Sequence, residues 1–113
     1  MTVVGEAGDG AEALALIREQ LPDVFLLDLR MPRMDGLDVV AAVNASRLPI
    51  KVIIMTTSQS EADVCGSMKA GARGYLTKDS SQEEILDAIR RVKIGETYLP
   101  ARLVQKIAEG MRN

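Results

Sequence analysis

Short apolar, β-branched runs alternate along the chain with longer segments whose apolar residues recur every three or four positions. That alternation predicts strand-helix units around a parallel sheet. Four strands are expected, at Thr2 to Gly5, Val24 to Asp28, Lys51 to Thr56 and Gly74 to Thr77. The middle two are apolar on both pleat faces, as strands covered by helices on each side must be. Apolar stripes mark the helices: Ala13, Leu16 and Ile17; Ile85, Ala88, Ile89 and Val92; and, in a final segment, Val104, Ile107, Ala108 and Met111. Each of four helix starts carries a side-chain oxygen placed to accept from first-turn amides, in the pairs Asp9 with Glu12, Asp35 with Asp38, Ser60 with Asp63, and Ser81 with Glu84. Gly95 is placed to end the fourth helix, and Pro100 to stand in the first turn of the last one. The expected fold is α/β, an open doubly wound parallel sheet followed by a C-terminal helix.

Composition narrows the function classes. A chain of 113 residues is one small domain, and 47% hydrophobic against 27% charged residues supplies a core for it. Fourteen Lys and Arg against 16 Asp and Glu give a net charge of −2, without the basic excess that direct nucleic-acid binding uses. The chain has no His and one Cys. This excludes an internal disulfide, a Cys/His zinc site, a His general base and a phosphohistidine on this polypeptide. A cytoplasmic location is expected. The longest apolar runs, such as Ala13 to Ile17 and Val39 to Val43, are too short for a membrane span or a signal-peptide core.

In an open α/β sheet, ligands bind beyond the carboxyl ends of the strands. Three strands end there on polar residues: Asp28, Thr56 and, just past Thr77, Lys78. Taken singly, Asp28 caps a turn, Thr56 bonds its own loop and Lys78 is solvated. Taken together, a carboxylate nucleophile, a hydroxyl and an ammonium that neutralises incoming oxygens fit phosphoryl capture. Thr57 is a second hydroxyl nearby, but the end of the strand favours Thr56. A competing pattern, Gly8-Asp9-Gly10-Ala11-Glu12-Ala13 with Asp28 downstream, matches a dinucleotide-binding fingerprint. Two carboxylates at that helix start oppose a pyrophosphate, and a cap and turn explain the glycines equally well. Cys65 reads as core packing, having no His to activate it. The charges of Arg90, Arg91, Lys93 and Glu96 read as a solvated face.

These segments resemble the receiver domains of two-component response regulators, specifically of the NarL/FixJ type. The resemblance is carried by Val3-Val4-Gly5-Glu6-Ala7-Gly8-Asp9-Gly10, Pro22-Asp23-Val24, Leu27-Asp28-Leu29-Arg30-Met31-Pro32, Met34-Asp35-Gly36, Ala70-Gly71-Ala72-Arg73-Gly74-Tyr75-Leu76, Lys78-Asp79 and Gly95-Glu96-Thr97-Tyr98-Leu99. It implies a flavodoxin-like fold in which Asp28 accepts a phosphoryl group from a sensor histidine kinase. Thr56 and Lys78 would hold phosphoryl oxygens, and Tyr75 would follow Thr56 as an aromatic switch. Such a domain is a phosphoacceptor and not an enzyme in the ordinary sense. Mg²⁺ is the implied cofactor, with Asp28 and the backbone carbonyl of Arg30 among its ligands.

Against that family the sequence reads as N-terminally truncated, with four strands where the family has five. The family's first strand, its acidic pair and its first helix are the elements expected to be absent, which leaves the metal site incomplete and phosphorylation impaired unless Asp9 or Glu6 substitutes. Residues 1–97 would form the receiver core and 98–113 a C-terminal linker helix. The first strand then either pairs directly with Val24 to Asp28 or leaves a gap for a second chain, giving a homodimer or domain-swapped oligomer. Many receivers have Pro where this chain has Asp79, but the NarL/FixJ type commonly shows Lys-Asp there. DNA would be reached only through an output domain outside this sequence. A phosphorylation-independent interaction module is the alternative function, and a dinucleotide-binding domain the remote one.

Overall fold

The computed structural model describes residues 3–4, 14–15, 17–19, 23–28, 36–47, 49–56 and 61–110. In chain order these are β1 (Val3–Val4), the helical residues 14–15 and 17–19 of α1, β2 (Val24–Asp28), α2 (Gly36–Ala45), β3 (Lys51–Thr56), α3 (Glu61–Ala70), β4 (Gly74–Thr77), α4 (Gln82–Lys93) and α5 (Ala101–Gly110). The strands form one parallel sheet in the order β1-β2-β3-β4. The last three have the bounds expected from the sequence. β1 is described over Val3–Val4, with Thr2 and Gly5 of the expected strand outside the described residues, and lies directly beside β2, with Val3 opposite Val24 and Val4 opposite Phe25. Of the two arrangements left open by the sequence, the structure takes the direct pairing.

The double-sided apolar character of β2 and β3 divides the core in two. Because successive side chains leave a strand on opposite faces, Phe25, Leu27, Val52, Ile54 and Tyr75 enter one cluster with Ile17, Val39, Val40, Val43, Val64 and Leu103. Val24, Ile53 and Leu76 enter the other, with Ala88, Ile89 and Val92 of α4. The first cluster is covered by α1, α2, α3 and α5 and the second by α4, so helices lie on both faces of the sheet. Cys65 is half-buried on α3 and carries no disulfide.

Local signals fix the ends of α4. Ser81 accepts from the Glu84 amide at 3.1 Å, while the Glu84 carboxylate accepts from the Ser81 amide, completing the expected capping box. At the other end, the Gly95 amide bonds Val92 O and the Glu96 amide bonds Arg91 O, each at 3.0 Å, with Gly95 at φ +100°. This is the reciprocal pair of bonds that closes a helix through a left-handed glycine. The other three expected caps, on Asp9, Asp35 and Ser60, lie outside the described residues. Arg91 bonds Asp87 one turn back at 2.9 Å, an ion pair on the solvated face expected of this segment.

The last helix departs from its expected phase. Pro100 precedes the helix rather than sitting in its first turn, its carbonyl accepting from the amides of Leu103 and Val104. Leu103 is the buried residue, at 1% exposure, whereas Val104 is 48% exposed and Ala108 is also exposed. Tyr98 explains the rotation. Its amide bonds Arg73 O, its carbonyl accepts from Tyr75 N, and the strand-like bridge to Gly74 holds residues 98–99 along the edge of β4. Leu99 then packs on the first cluster, and Leu103, one helical turn further, follows it inward.

Three stability outcomes follow from this packing and from the closure of α4. Leu103→Ala is expected to cost about 2–4 kcal/mol through lost burial and the cavity left behind, while Val104→Ala costs about 0.5 kcal/mol or less. Gly95→Ala is expected to cost about 1–2 kcal/mol because its left-handed backbone clashes with a Cβ. Urea unfolding midpoints measure all three, and equal losses at 103 and 104 would contradict the observed phase.

Candidate functional site

Parallel register places the candidate residues at one edge. Asp28 ends β2 opposite Met55, Thr56 ends β3 opposite Thr77, and Lys78 follows β4 at once. Adjacent strands are about 4.8 Å apart, so the three backbone positions fall on neighbouring strands at the same end of the sheet. The Lys78 amide donates to Thr56 O at 2.9 Å, which extends the β3-β4 ladder one residue past the strand and fixes where Lys78 begins. Thr56 is buried at 1% exposure and Lys78 is exposed. For Asp28 the backbone alone is described. Arg30, Thr57, Asp9 and Glu6 lie outside the described residues, as do Gly8 and Gly10 of the competing glycine pattern.

Tyr75 ends up deep in the structure. It has no exposed surface and belongs to the same cluster as Leu103 of α5, with its amide held by Tyr98 O at 3.1 Å. The ring is thus packed between the sheet and the elements that follow α4, on the same pleat face as Thr77.

Just past β4 the structure holds a polar network that the sequence did not reveal. The Ser80 amide bonds Thr77 O at 3.0 Å, closing a turn with Lys78 and Asp79 at its centre. The buried Thr77 hydroxyl donates to the Asp79 carboxylate and accepts from Arg102 Nη2 at 2.6 Å. Ser80 Oγ lies 3.4 Å from the same hydroxyl. Arg102, on α5, is also 3.7 Å from Asp79 Oδ1 through Nη2 and 3.7 Å from Glu84 Oε2 through Nη1. Its planar fork therefore spans the turn at one prong and the start of α4 at the other. Sequence separation hid this: Arg102 and Thr77 are 25 positions apart, and Arg102 carries no motif.

Among the described residues no group of three or more acidic or Cys side chains is placed to hold a metal ion. Nor, among them, is any helix long and apolar enough to cross a membrane.

Electrostatics single out Asp79. The hydrogen bond from Thr77, with the nearby charge of Arg102 acting the same way, holds its carboxyl below the ordinary carboxylate value. A carboxylate with a lowered folded-state value stabilises the fold above its unfolded value, and that contribution disappears as pH falls through the folded one. Asp79→Asn is therefore expected to lower the urea midpoint at pH 7, and the difference from the parent chain is expected to shrink as the pH falls into the acid range. A difference that does not change with pH would show that Asp79 acts through packing instead.

Comparison with known proteins adds the remaining observation. The family model for the response regulator receiver domain matches residues 1–90. The "Probable transcriptional regulatory protein NarL" of Mycobacterium tuberculosis (strain ATCC 25618 / H37Rv) is 44% identical over 112 residues, covering 99% of this chain and 52% of that protein. The chain thus spans about half the length of the curated relatives it matches. Among solved structures, a LuxR-family two-component response regulator from Aurantimonas sp. SI85-9A1 superposes with a TM-score of 0.89 at 32% identity, over 97% of this chain and 79% of that one. The signal receiver domain of a NarL response regulator from Mycobacterium tuberculosis gives 0.78 at 47% identity, over 82% and 75%.

Proposed function

The chain belongs to the response regulator receiver domain family, and on that premise we propose that Asp28 accepts a phosphoryl group from the phosphohistidine of a sensor histidine kinase. The observation that carries this reading is the common edge formed by the ends of β2, β3 and β4, with the Lys78 amide bonded to Thr56 O. In the step, a carboxylate oxygen of Asp28 bonds to phosphorus as the P–N bond to the kinase imidazole breaks. The imidazole keeps the electron pair. Thr56 donates a hydrogen bond to one phosphoryl oxygen, and the Lys78 ammonium pairs with another. Tyr75 carries the change onward from Thr56, since its ring shares a cluster with Leu103.

Receivers of this family typically use Mg²⁺. The described residues by themselves do not make up a ligand set for it. Asp28 and the Arg30 carbonyl are the proposed ligands on this chain. Self-association is part of the same reading, because β1 stands at the end of the strand order, with β2 as its one neighbour among the described strands. Its outer edge is where a second copy would add. Light scattering at tens of micromolar reads this directly, and a strictly monomeric chain would remove the dimer.

Intact-mass spectrometry after incubation with acetyl phosphate and Mg²⁺ tests the phosphoacceptor. A gain of about 80 Da is expected, as an added phosphoryl group requires. It should appear on the parent chain and be absent from Asp28→Asn. A folded parent chain that gains no mass would instead support an interaction module that works without phosphorylation.

A further inference from the structure

The turn that presents Lys78 is held from outside the sheet. Lys78 and Asp79 are its central residues, Ser80 N to Thr77 O closes it, and the Thr77 hydroxyl ties the Asp79 carboxylate back to the end of β4. That hydroxyl has one proton and two lone pairs. With its O–H donated to the Asp79 carboxylate, it is left to accept, which it does from Arg102 at 2.6 Å. Thr77 is 1% exposed, so the shared hydroxyl is itself sheltered, while Asp79 and Arg102 reach it from the exposed side.

Arg102 reaches further than the turn. Nη1 faces Glu84, the residue whose carboxylate and amide complete the capping box with Ser81. One guanidinium therefore bridges the end of β4 and the first turn of α4, and Lys78 lies in the short segment between these two anchor points. The guanidinium is delivered by α5, whose own position is set by Leu103 in the cluster that also contains Tyr75. Leu103 and Arg102 are consecutive, so the packing that seats α5 also aims the fork.

From this geometry we propose that Arg102 is a positioning residue for Lys78, stapling the turn that presents it and coupling the docking of α5 to phosphoryl capture at Asp28. The proposal rests on the reading of Asp28 and Lys78 given above. Its physical basis is entropic: an untethered turn spreads the Lys78 ammonium over many positions, while a stapled one holds its stem at the edge where the phosphoryl arrives. Coupling is reciprocal, so a phosphoryl group that engages Lys78 also strengthens the hold on α5. The lowered carboxyl of Asp79 keeps its charge available to the guanidinium throughout the neutral range.

The experiment is a double-mutant cycle on the initial rate of mass gain with acetyl phosphate and Mg²⁺, comparing the parent chain, Arg102→Ala, Lys78→Ala and the double variant. Arg102→Ala is expected to slow labelling of the parent chain by about fivefold or more, the lower end of ordinary coupling effects. In the Lys78→Ala background the same change is expected to have no further effect, because a residue that acts through Lys78 has nothing left to position. Equal slowing in both backgrounds, or none in the parent, overturns the proposal. Arg102→Lys keeps the charge but loses the fork. It is expected to remain slow at 0.15 M salt, and full recovery would assign the effect to charge alone and overturn the positioning role. Hydrogen exchange gives a second readout: amides of α5 are expected to exchange more slowly in the labelled chain than in the unlabelled one, and unchanged exchange overturns the coupling. A parent chain that gains no mass at all sinks the phosphoacceptor reading itself, and thereby separates the two failures.

Discussion

The parallel register of β2, β3 and β4 is the constraint on which every chemical argument depends. Asp28, Thr56 and Lys78 are separated by 28 and 22 positions in the chain, and no local preference brings them together. They stand at one edge because Asp28 and Thr56 close, and Lys78 directly follows, strands running in the same direction, with Asp28 opposite Met55 and Thr56 opposite Thr77. Parallel strands need crossovers, the crossovers here are helices, and helices on both faces demand strands that are apolar on both sides. The same residues that make β2 and β3 hydrophobic throughout thus deliver a polar residue to one edge at the end of each. A one-residue slip of β3 would move Val52 and Ile54 out of the first cluster and carry Thr56 away from its opposing position, so core and site are specified by one register.

How legible this was in the sequence depended on the range of the signal. The bounds of β2, β3 and β4 were readable because apolar runs end abruptly in Asp28, Thr56 and Thr77. The capping box of Ser81 and Glu84 and the glycine closure at Gly95 were readable because each involves residues within a few positions of one another. The last helix was misread for the opposite reason. Val104 and Leu103 are adjacent apolar residues, so periodicity alone supports either phase. The choice between them is made by Tyr98, which is tied to Arg73, Gly74 and Tyr75 through backbone bonds that leave no trace in side-chain pattern. β1 was expected to span Thr2 to Gly5 and is described over Val3–Val4, paired straight onto β2.

The Arg102 network lay beyond sequence reasoning altogether. In the sequence Asp79 stood out as part of the Lys78-Asp79 pair of the NarL/FixJ resemblance and as the residue where many receivers have Pro, with no structural partner to suggest a role. The structure gives that position a physical role: a proline would stiffen the turn through its ring, whereas Asp79 stiffens it by accepting from Thr77 and facing Arg102. A proline-held turn is self-contained. A turn held by a carboxylate and a guanidinium depends on the element that supplies the guanidinium, which here is α5.

That dependence changes what the region after α4 contributes. Tyr98 adds backbone bonds to the edge of β4, Leu103 fills the cluster around Tyr75, and Arg102 reaches the segment that carries Lys78. Edge, core and turn are thus each touched by residues that follow the fourth strand-helix unit, within six positions of chain. The exposed ion pairs of Arg102 with Asp79 and Glu84 contribute little to stability by themselves, since solvent screens them. Their consequence is geometric: they are made by a residue whose neighbour is buried, across a segment too short to move without breaking them. A weak pair held by a well-packed backbone is suited to coupling two elements, because it can be made or lost at small cost while the core beneath it stays intact.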